Sequence, residues 1–131
     1  MSPQTRVSVV DDYPPFREIM RSMLSRHPDL VVVAEASDGL EAVHNADELR
    51  PDLILLDLNM PRLNGLEATR RIRNLSPDSK IIIVSLESSV ESVQAALGSG
   101  AAGYVTKNDV IRRLLPTIEA ALQGRGWSSH D

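Results

Sequence analysis

The chain has 131 residues, 42% hydrophobic and 24% charged, with 14 basic against 18 acidic side chains and no cysteine. That length supports one globular domain whose core needs no disulfide or structural metal, and the missing cysteine excludes thiolate zinc sites and a thiol nucleophile. A net charge of -4 argues against direct nucleic-acid binding, no apolar run reaches the roughly 20 residues that span a membrane, and the polar start lacks a signal peptide's apolar stretch, so a cytoplasmic location is expected.

The first apolar run, Val7-Ser-Val-Val10, reads as a strand. Phe16, Ile19, Met20, Met23 and Leu24 then recur at the three-and-four spacing of a helix. Leu30-Val-Val-Val-Ala34 is the second strand, and Asp38-Gly-Leu-Glu41 opens a helix with Ala42, Ala46 and Leu49 inward. Leu53-Ile-Leu-Leu56 is the third strand; Asn64-Gly-Leu-Glu67 starts the next helix, with Ala68, Ile72 and Leu75 inward. Ile81-Ile-Ile-Val84 is followed by Ser88-Ser-Val-Glu91 and the set Val90, Val93 and Leu97. Each helix start places a capping side chain three residues before a Glu that can reach back. Tyr104-Val105 is the fifth and weakest strand signal, and Ile111, Leu114, Leu115, Ile118 and Leu122 form the last stripe, which Pro116 should bend. Four of the strand runs are apolar almost throughout, as in strands covered on both faces. Alternating β and α elements with short connections predict a doubly wound parallel α/β sheet in a single domain.

Ligands of such a sheet bind outside the carboxyl ends of its strands. Asp11 and Asp12 follow the first run, Asp57 the third, Ser85 the fourth and Lys107 the fifth. Three converging carboxylates raise one another's pKa unless a cation sits among them. Mg²⁺ answers that need, because it takes oxygen ligands, one or two carboxylates with waters and phosphate oxygens. Lys107 adds a positive charge and Ser85 a hydroxyl, so the group held there is most simply a phosphoryl group carried by one carboxylate. Singly, these residues read as turn, loop and solvated side chains; their conjunction at four of five strand ends points to a site. His27, His44 and His130 share no ligand spacing, and Arg70, Arg71 and Arg73 read as a solvated helix face.

Asp11-Asp12, the block Pro51-Asp-Leu-Ile-Leu-Leu-Asp57-Leu-Asn-Met-Pro61 with Gly65, then Ser85 and Gly100-Ala-Ala-Gly-Tyr104-Val-Thr-Lys107 together resemble a response-regulator receiver domain. The resemblance implies a flavodoxin-like (βα)5 fold with strand order 2-1-3-4-5. It divides the chain into an extension over 1-5, a receiver over 6-123, and a tail or linker start over 124-131. By position, Asp57 is similar to the phosphoacceptor that a sensor histidine kinase charges. Asp12, Asp57 and the backbone carbonyl of Asn59 resemble the Mg²⁺ ligands, with Asp11 acting through water. Lys107 and Ser85 match the lysine and the switch hydroxyl, and Tyr104 the switch aromatic that turns into space vacated when Ser85 moves. The implied role is two-component signalling without an enzyme activity beyond self-catalysed phosphorylation and dephosphorylation. Its output face is formed by the fourth helix, fifth strand and fifth helix, with homodimerisation on phosphorylation.

Asn108 stands where many receivers have proline, so the Lys107-Asn108 bond is expected to be trans, and Leu86 stands where a small residue is usual. The Gly100-Ala-Ala-Gly-Tyr104 segment and the missing proline are similar to receivers of LuxR-type transcription regulators, in which a DNA-binding domain follows. The alternative is a stand-alone or phosphate-independent receiver-like binding module. A haloacid-dehalogenase-like phosphatase wants a second carboxylate at Asn59, and a flavodoxin wants a Ser/Thr/Gly-rich loop in place of Asp11-Asp-Tyr-Pro-Pro15.

Overall fold

The computed structural model describes residues 4–124. Residues 1–3 of the expected extension, and Trp127 and His130 of the expected tail, lie outside the described residues. The elements alternate as β1 (Thr5–Val10), α1 (Pro14–Ser25), β2 (Leu30–Ala36), α2 (Gly39–Leu49), β3 (Leu53–Leu56), α3 (Gly65–Leu75), β4 (Lys80–Ser85), α4 (Val90–Gly98), β5 (Gly103–Thr106) and α5 (Val110–Leu122). A 3-10 turn over Lys107–Asp109 precedes α5. The strands form one sheet in the order β2-β1-β3-β4-β5, and every adjacent pair is parallel. That is the flavodoxin-like, doubly wound topology expected.

Side chains alternate across the pleat, so each strand feeds two cores. Val7, Val9, Leu53, Leu55, Ile82 and Val84 pack with Met20 and Leu24 of α1 and Leu114 and Ile118 of α5. On the other face Val10, Ile54, Leu56, Ile81 and Ile83 meet Ala42 and Ala46 of α2, Ala68 and Ile72 of α3, and Ala96 of α4. The small residues of α2 and α3 let those helices lie close to the sheet.

Several expectations shift, among them Leu75 at the end of α3, which is 38% exposed rather than inward. Leu30–Ala34 is as apolar as a central strand, yet it is only half-buried, because the topology puts β2 at the sheet edge with β1 as its sole neighbour. The cap of α4 is Ser89, which accepts from Ser92 N–H at 3.1 Å, one residue later than expected. Val90 thus stands at the first helical position and is 65% exposed, while Val93 packs on the core and Ala96 is fully buried. Ile111 of the last stripe also points outward, and with Ile19 it lines a groove between α1 and α5. Asp38 and Asn64 cap as expected, accepting from Glu41 N–H at 2.8 Å and Glu67 N–H at 3.0 Å. Pro116 lies inside α5 on its exposed side, and the helix continues past it to Leu122.

Two glycines set how closely the site loops approach. A Cβ on Gly39 would run into the Leu63 backbone, and one on Gly65 would collide with the carbonyl oxygen of Asp57 and stand 2.7 Å from Leu58 Cα. Backbone cannot swing aside as a flexible side chain does. Gly65→Ala is therefore expected to destabilise by about 1–3 kcal/mol in urea unfolding, the usual range for overpacking. Gly98→Ala, with nothing within 4 Å of the new methyl, should instead be neutral or gain up to about 1 kcal/mol from helix propensity.

Candidate functional site

The sheet ladder runs on past the regular strands. Asp11 N–H donates to Ala36 O and Asp57 N–H to Val10 O, each at 3.1 Å, so backbone bonding holds both residues at the carboxyl edge. β1 and β3 are neighbours there, and the two carboxylates converge. Asp11 is fully buried and Asp57 is 6% exposed, while Asp12 is exposed. Carboxylate oxygens of the three lie within 4.8 Å of one another.

Lys107, at the end of β5, reaches between them. Its Nζ stands 2.7 Å from Asp11 Oδ2 and 3.2 Å from Asp57 Oδ2. Asp11 Oδ1 accepts from Tyr13 N–H at 2.8 Å. Among the described residues no donor meets the buried Oδ2 with hydrogen-bond geometry. The Lys107 ammonium at 2.7 Å is nevertheless close enough to pair with it as a buried ion pair. The Lys107 ammonium also lies 4.5 Å from the centre of the Phe16 ring. Arg17 braces the loop by donating from Nη1 to the Asp11 carbonyl at 2.6 Å. Three carboxylates whose oxygens converge within 4.8 Å, against a single ammonium, fit a hard divalent cation. The Lys107-Asn108 bond is trans, since no described peptide bond is cis.

Burial pushes the Asp57 carboxyl above its usual value; the Lys107 charge opposes, and the Asp11 charge adds to the rise. Burial alone would lower Lys107, but its contacts with Asp11 and Asp57 outweigh that, and the ammonium is held above its ordinary value. Burial also raises the Tyr104 phenol, with a hydrogen bond to Ser85 pulling it back and Glu87 and Asp57 adding to the rise.

Ser85 is fully buried at the end of β4, and its Oγ accepts from Glu87 N–H at 3.2 Å. Tyr104 is already turned inward, 3% exposed, and donates from its hydroxyl to the Glu87 carbonyl at 2.7 Å. The Glu87 carboxylate accepts from Asn59 Nδ2 at 3.1 Å and faces Ser92 Oγ at 3.4 Å. Glu87 thus ties the loop after β3, the start of α4, Tyr104 and Ser85 together. Leu86, beside it, is 67% exposed rather than packed over the crevice.

The structure therefore brings Asp11, Asp12, Asp57 and Lys107 into one cluster. Ser85, Tyr104 and Asn59 form the adjoining rim. Phe16 and Glu87 were not singled out from the sequence as parts of the site. Phe16 counts there as one more apolar position of a helix stripe. Glu87 reads there only as a charge in the loop after the fourth strand. In the structure Glu87 is engaged as described, and Arg112 pairs with Asp109 at 3.4 Å.

The raised Asp57 pKa has a stability consequence. The folded carboxyl holds its proton more tightly than the unfolded one, whose value is 3.8. The fold therefore loses stability as pH climbs from that value through the raised one. Asp57→Asn escapes this loss. Thermal unfolding in metal-free buffer from about pH 3 to pH 7 should show the variant more stable near neutrality, with the advantage fading on acidification.

Residues 7–119 match the response regulator receiver domain family. The nitrate/nitrite response regulator protein NarL of Escherichia coli strain K12 is 40% identical over 118 residues, which cover 90% of this chain and 55% of that one. A protein-glutamate methylesterase/protein-glutamine glutaminase of Thermotoga maritima is 43% identical over 103 residues, or 78% of this chain and 30% of that one. The chain thus spans about half the length of NarL and less of the esterase. The crystal structure of a LuxR-family two-component response regulator from Aurantimonas sp. SI85-9A1 superposes with a TM-score of 0.90 at 39% identity, covering 96% of this chain and 90% of that one. The family match takes in all five strands with their strand-end acids and lysine, and the chain belongs to the response regulator receiver domain family.

Proposed function

We propose that residues 6-123 act as a phosphoacceptor in two-component signalling. A sensor histidine kinase charges Asp57, and the domain is a switch rather than an enzyme with a substrate of its own. The observation that carries this reading is the buried Lys107 ammonium bridging Asp11 and Asp57 at the carboxyl edge of the sheet. A carboxylate oxygen of Asp57 forms the new P–O bond as the P–N bond to the donor imidazole breaks, and the released nitrogen takes up a proton. Such transfers need mainly positioning and charge neutralisation from the protein. Lys107 meets the incoming negative charge and Ser85 offers its hydroxyl. Asp12, Asp57 and the Asn59 carbonyl would hold Mg²⁺, with Asp11 acting through water. When bound, the ion neutralises the carboxylates and the transferring oxygens.

The route outward runs through Glu87. Drawing the Ser85 hydroxyl toward a phosphoryl group pulls on the bonds that also seat Tyr104 and the start of α4. Tyr104 is inward already, so the parts that shift are the loop over residues 86–89 and the surface beside it. That surface holds a cavity of about 250 Å³ lined by Tyr104, Thr106, Asp109 and Arg112 from β5, the 3-10 turn and α5, with Ser88 and Val93 opposite. A homodimer on phosphorylation, and DNA binding through an attached LuxR-type output domain, are the outputs this face serves. The likeness to a regulator such as NarL supports that reading. Among the described residues no helix is long and apolar enough to cross a membrane, which agrees with a cytoplasmic role.

With acetyl phosphate and Mg²⁺, the intact protein should gain one phosphoryl mass and Asp57→Asn none. Phosphate on Ser85 with Asp57 unmodified would overturn the assignment, and an unmodified wild type would leave a phosphate-independent binding module. Lys107→Met should slow transfer by at least roughly tenfold, as expected for losing a positive group aimed at transition-state charge. The same variant should bind Mg²⁺ more tightly in calorimetric titration, because the ammonium competes for Asp11 and Asp57.

A further inference from the structure

An ammonium group presents three N–H donors, and Lys107 directs two sides of its own to carboxylates. The third side faces an aromatic ring: the Phe16 centroid is 4.5 Å from Nζ, within the distance at which a ring's negative face attracts a cation. The lysine side chain is only 11% exposed, so water screens that attraction little. Phe16 is itself well placed to act as a fixed wall. It sits in the first turn of α1, where Pro14 and Pro15 take the two opening helical positions, and its N–H donates to the Tyr13 carbonyl at 3.0 Å. Its ring packs against the core formed by β1, α1 and α5. Lys107, in contrast, starts a three-residue 3-10 turn that contains the exposed Asn108, and its long stem has wide rotamer freedom of its own.

We propose that Phe16 is a positioning residue for phosphoryl transfer, its ring face holding the Lys107 ammonium over the Asp11 and Asp57 carboxylates. The inference rests on Asp57 being the phosphoacceptor. Asp57 changes character when it is phosphorylated, whereas Asp11 and the ring do not, so Phe16 joins Asp11 in keeping the ammonium in place throughout transfer. A residue with only a packing role would be replaced without loss by another apolar side chain of similar bulk.

The test compares wild type with Phe16→Leu, Phe16→Tyr and a protein carrying ring-trifluorinated phenylalanine at position 16. Fluorination keeps the ring's shape and withdraws the negative charge from its face. In the metal-free protein, proton NMR should place the Lys107 ε-methylene signals upfield through the ring current, and Phe16→Leu should return them to ordinary values. Phosphorylation of Asp57 by acetyl phosphate should slow about three- to tenfold in Phe16→Leu and by an intermediate factor with the fluorinated ring, while Phe16→Tyr retains the wild-type rate, as expected for a largely desolvated cation–π contact. Ordinary ε-methylene shifts in wild type, or a fluorinated protein as fast as wild type, would overturn the inference while leaving Asp57 as acceptor. A wild type that shows the upfield shift but takes no phosphate would instead overturn the proposed function and keep the contact.

Discussion

Two carboxylates buried side by side, with one ammonium between them, set the terms for the rest of this structure. Desolvating an ion costs several kcal/mol even after relaxation, and the cost is recovered only where a counter-charge sits at close range in good geometry. Asp11 and Asp57 meet that condition through Lys107, whose residue lies 50 positions after Asp57 in the chain. The rest of the fold keeps these three groups in register. Parallel pairing of β1 with β3 puts the acids side by side, and β5 delivers the lysine from the far edge. Arg17 and the Tyr13 N–H fix the Asp11 loop. Gly65 lets α3 start against the Asp57 carbonyl, where any side chain would push the acceptor strand out of place. For Asp57 the compensation is incomplete: burial outweighs the Lys107 charge, so this carboxyl resists losing its proton in the fold.

Much of this was legible in the sequence, because strand-end chemistry follows from topology. Once uninterrupted apolar runs alternate with helical stripes, the sheet is parallel and its ligand edge is determined. Asp11, Asp57, Ser85 and Lys107 can then be placed without knowing a single distance. Other features were hidden because one residue carried two signals. Phe16 satisfies the helix stripe whether or not its ring touches a cation. Gly65 sits inside a capping pattern that already accounts for it, so nothing in the chain marks its approach to Asp57. Glu87 is one acid among 18 acidic residues, and its role depends on the path of a loop that periodicity does not describe. The half-buried state of β2 likewise depends on strand order rather than on its own apolar composition.

The later start of α4 has a similar cause and a functional reading. Ser88, Ser89 and Ser92 all lie near the helix start, and either of the first two can cap it on spacing alone. Choosing Ser89 turns Val90 outward and leaves Ala96 as the helix's buried contact. With Ala96 its one fully buried residue and Val93 half-buried beside it, and with its first turn tied through Glu87 and Ser92, α4 buries less than α3 or α5. Low local stability is what a segment that moves in signalling requires.

That softness also bounds what the switch can do alone. The bonds joining the site to the output face are Glu87 N–H to Ser85, Tyr104 to the Glu87 carbonyl, and Asn59 to the Glu87 carboxylate. Each is worth about 0.5–1.5 kcal/mol net. Rearranging all three therefore biases the surface by roughly 3 kcal/mol, or about a hundredfold in the ratio of its two states. Carrying a population from 1:99 to 99:1 takes about 5.5 kcal/mol, or ten-thousandfold. Under the proposed switch, the isolated domain would thus give a graded response. An all-or-none output has to draw the remaining two or so kcal/mol from contacts outside this chain, such as a second copy or an output domain bound more tightly by one surface than by the other.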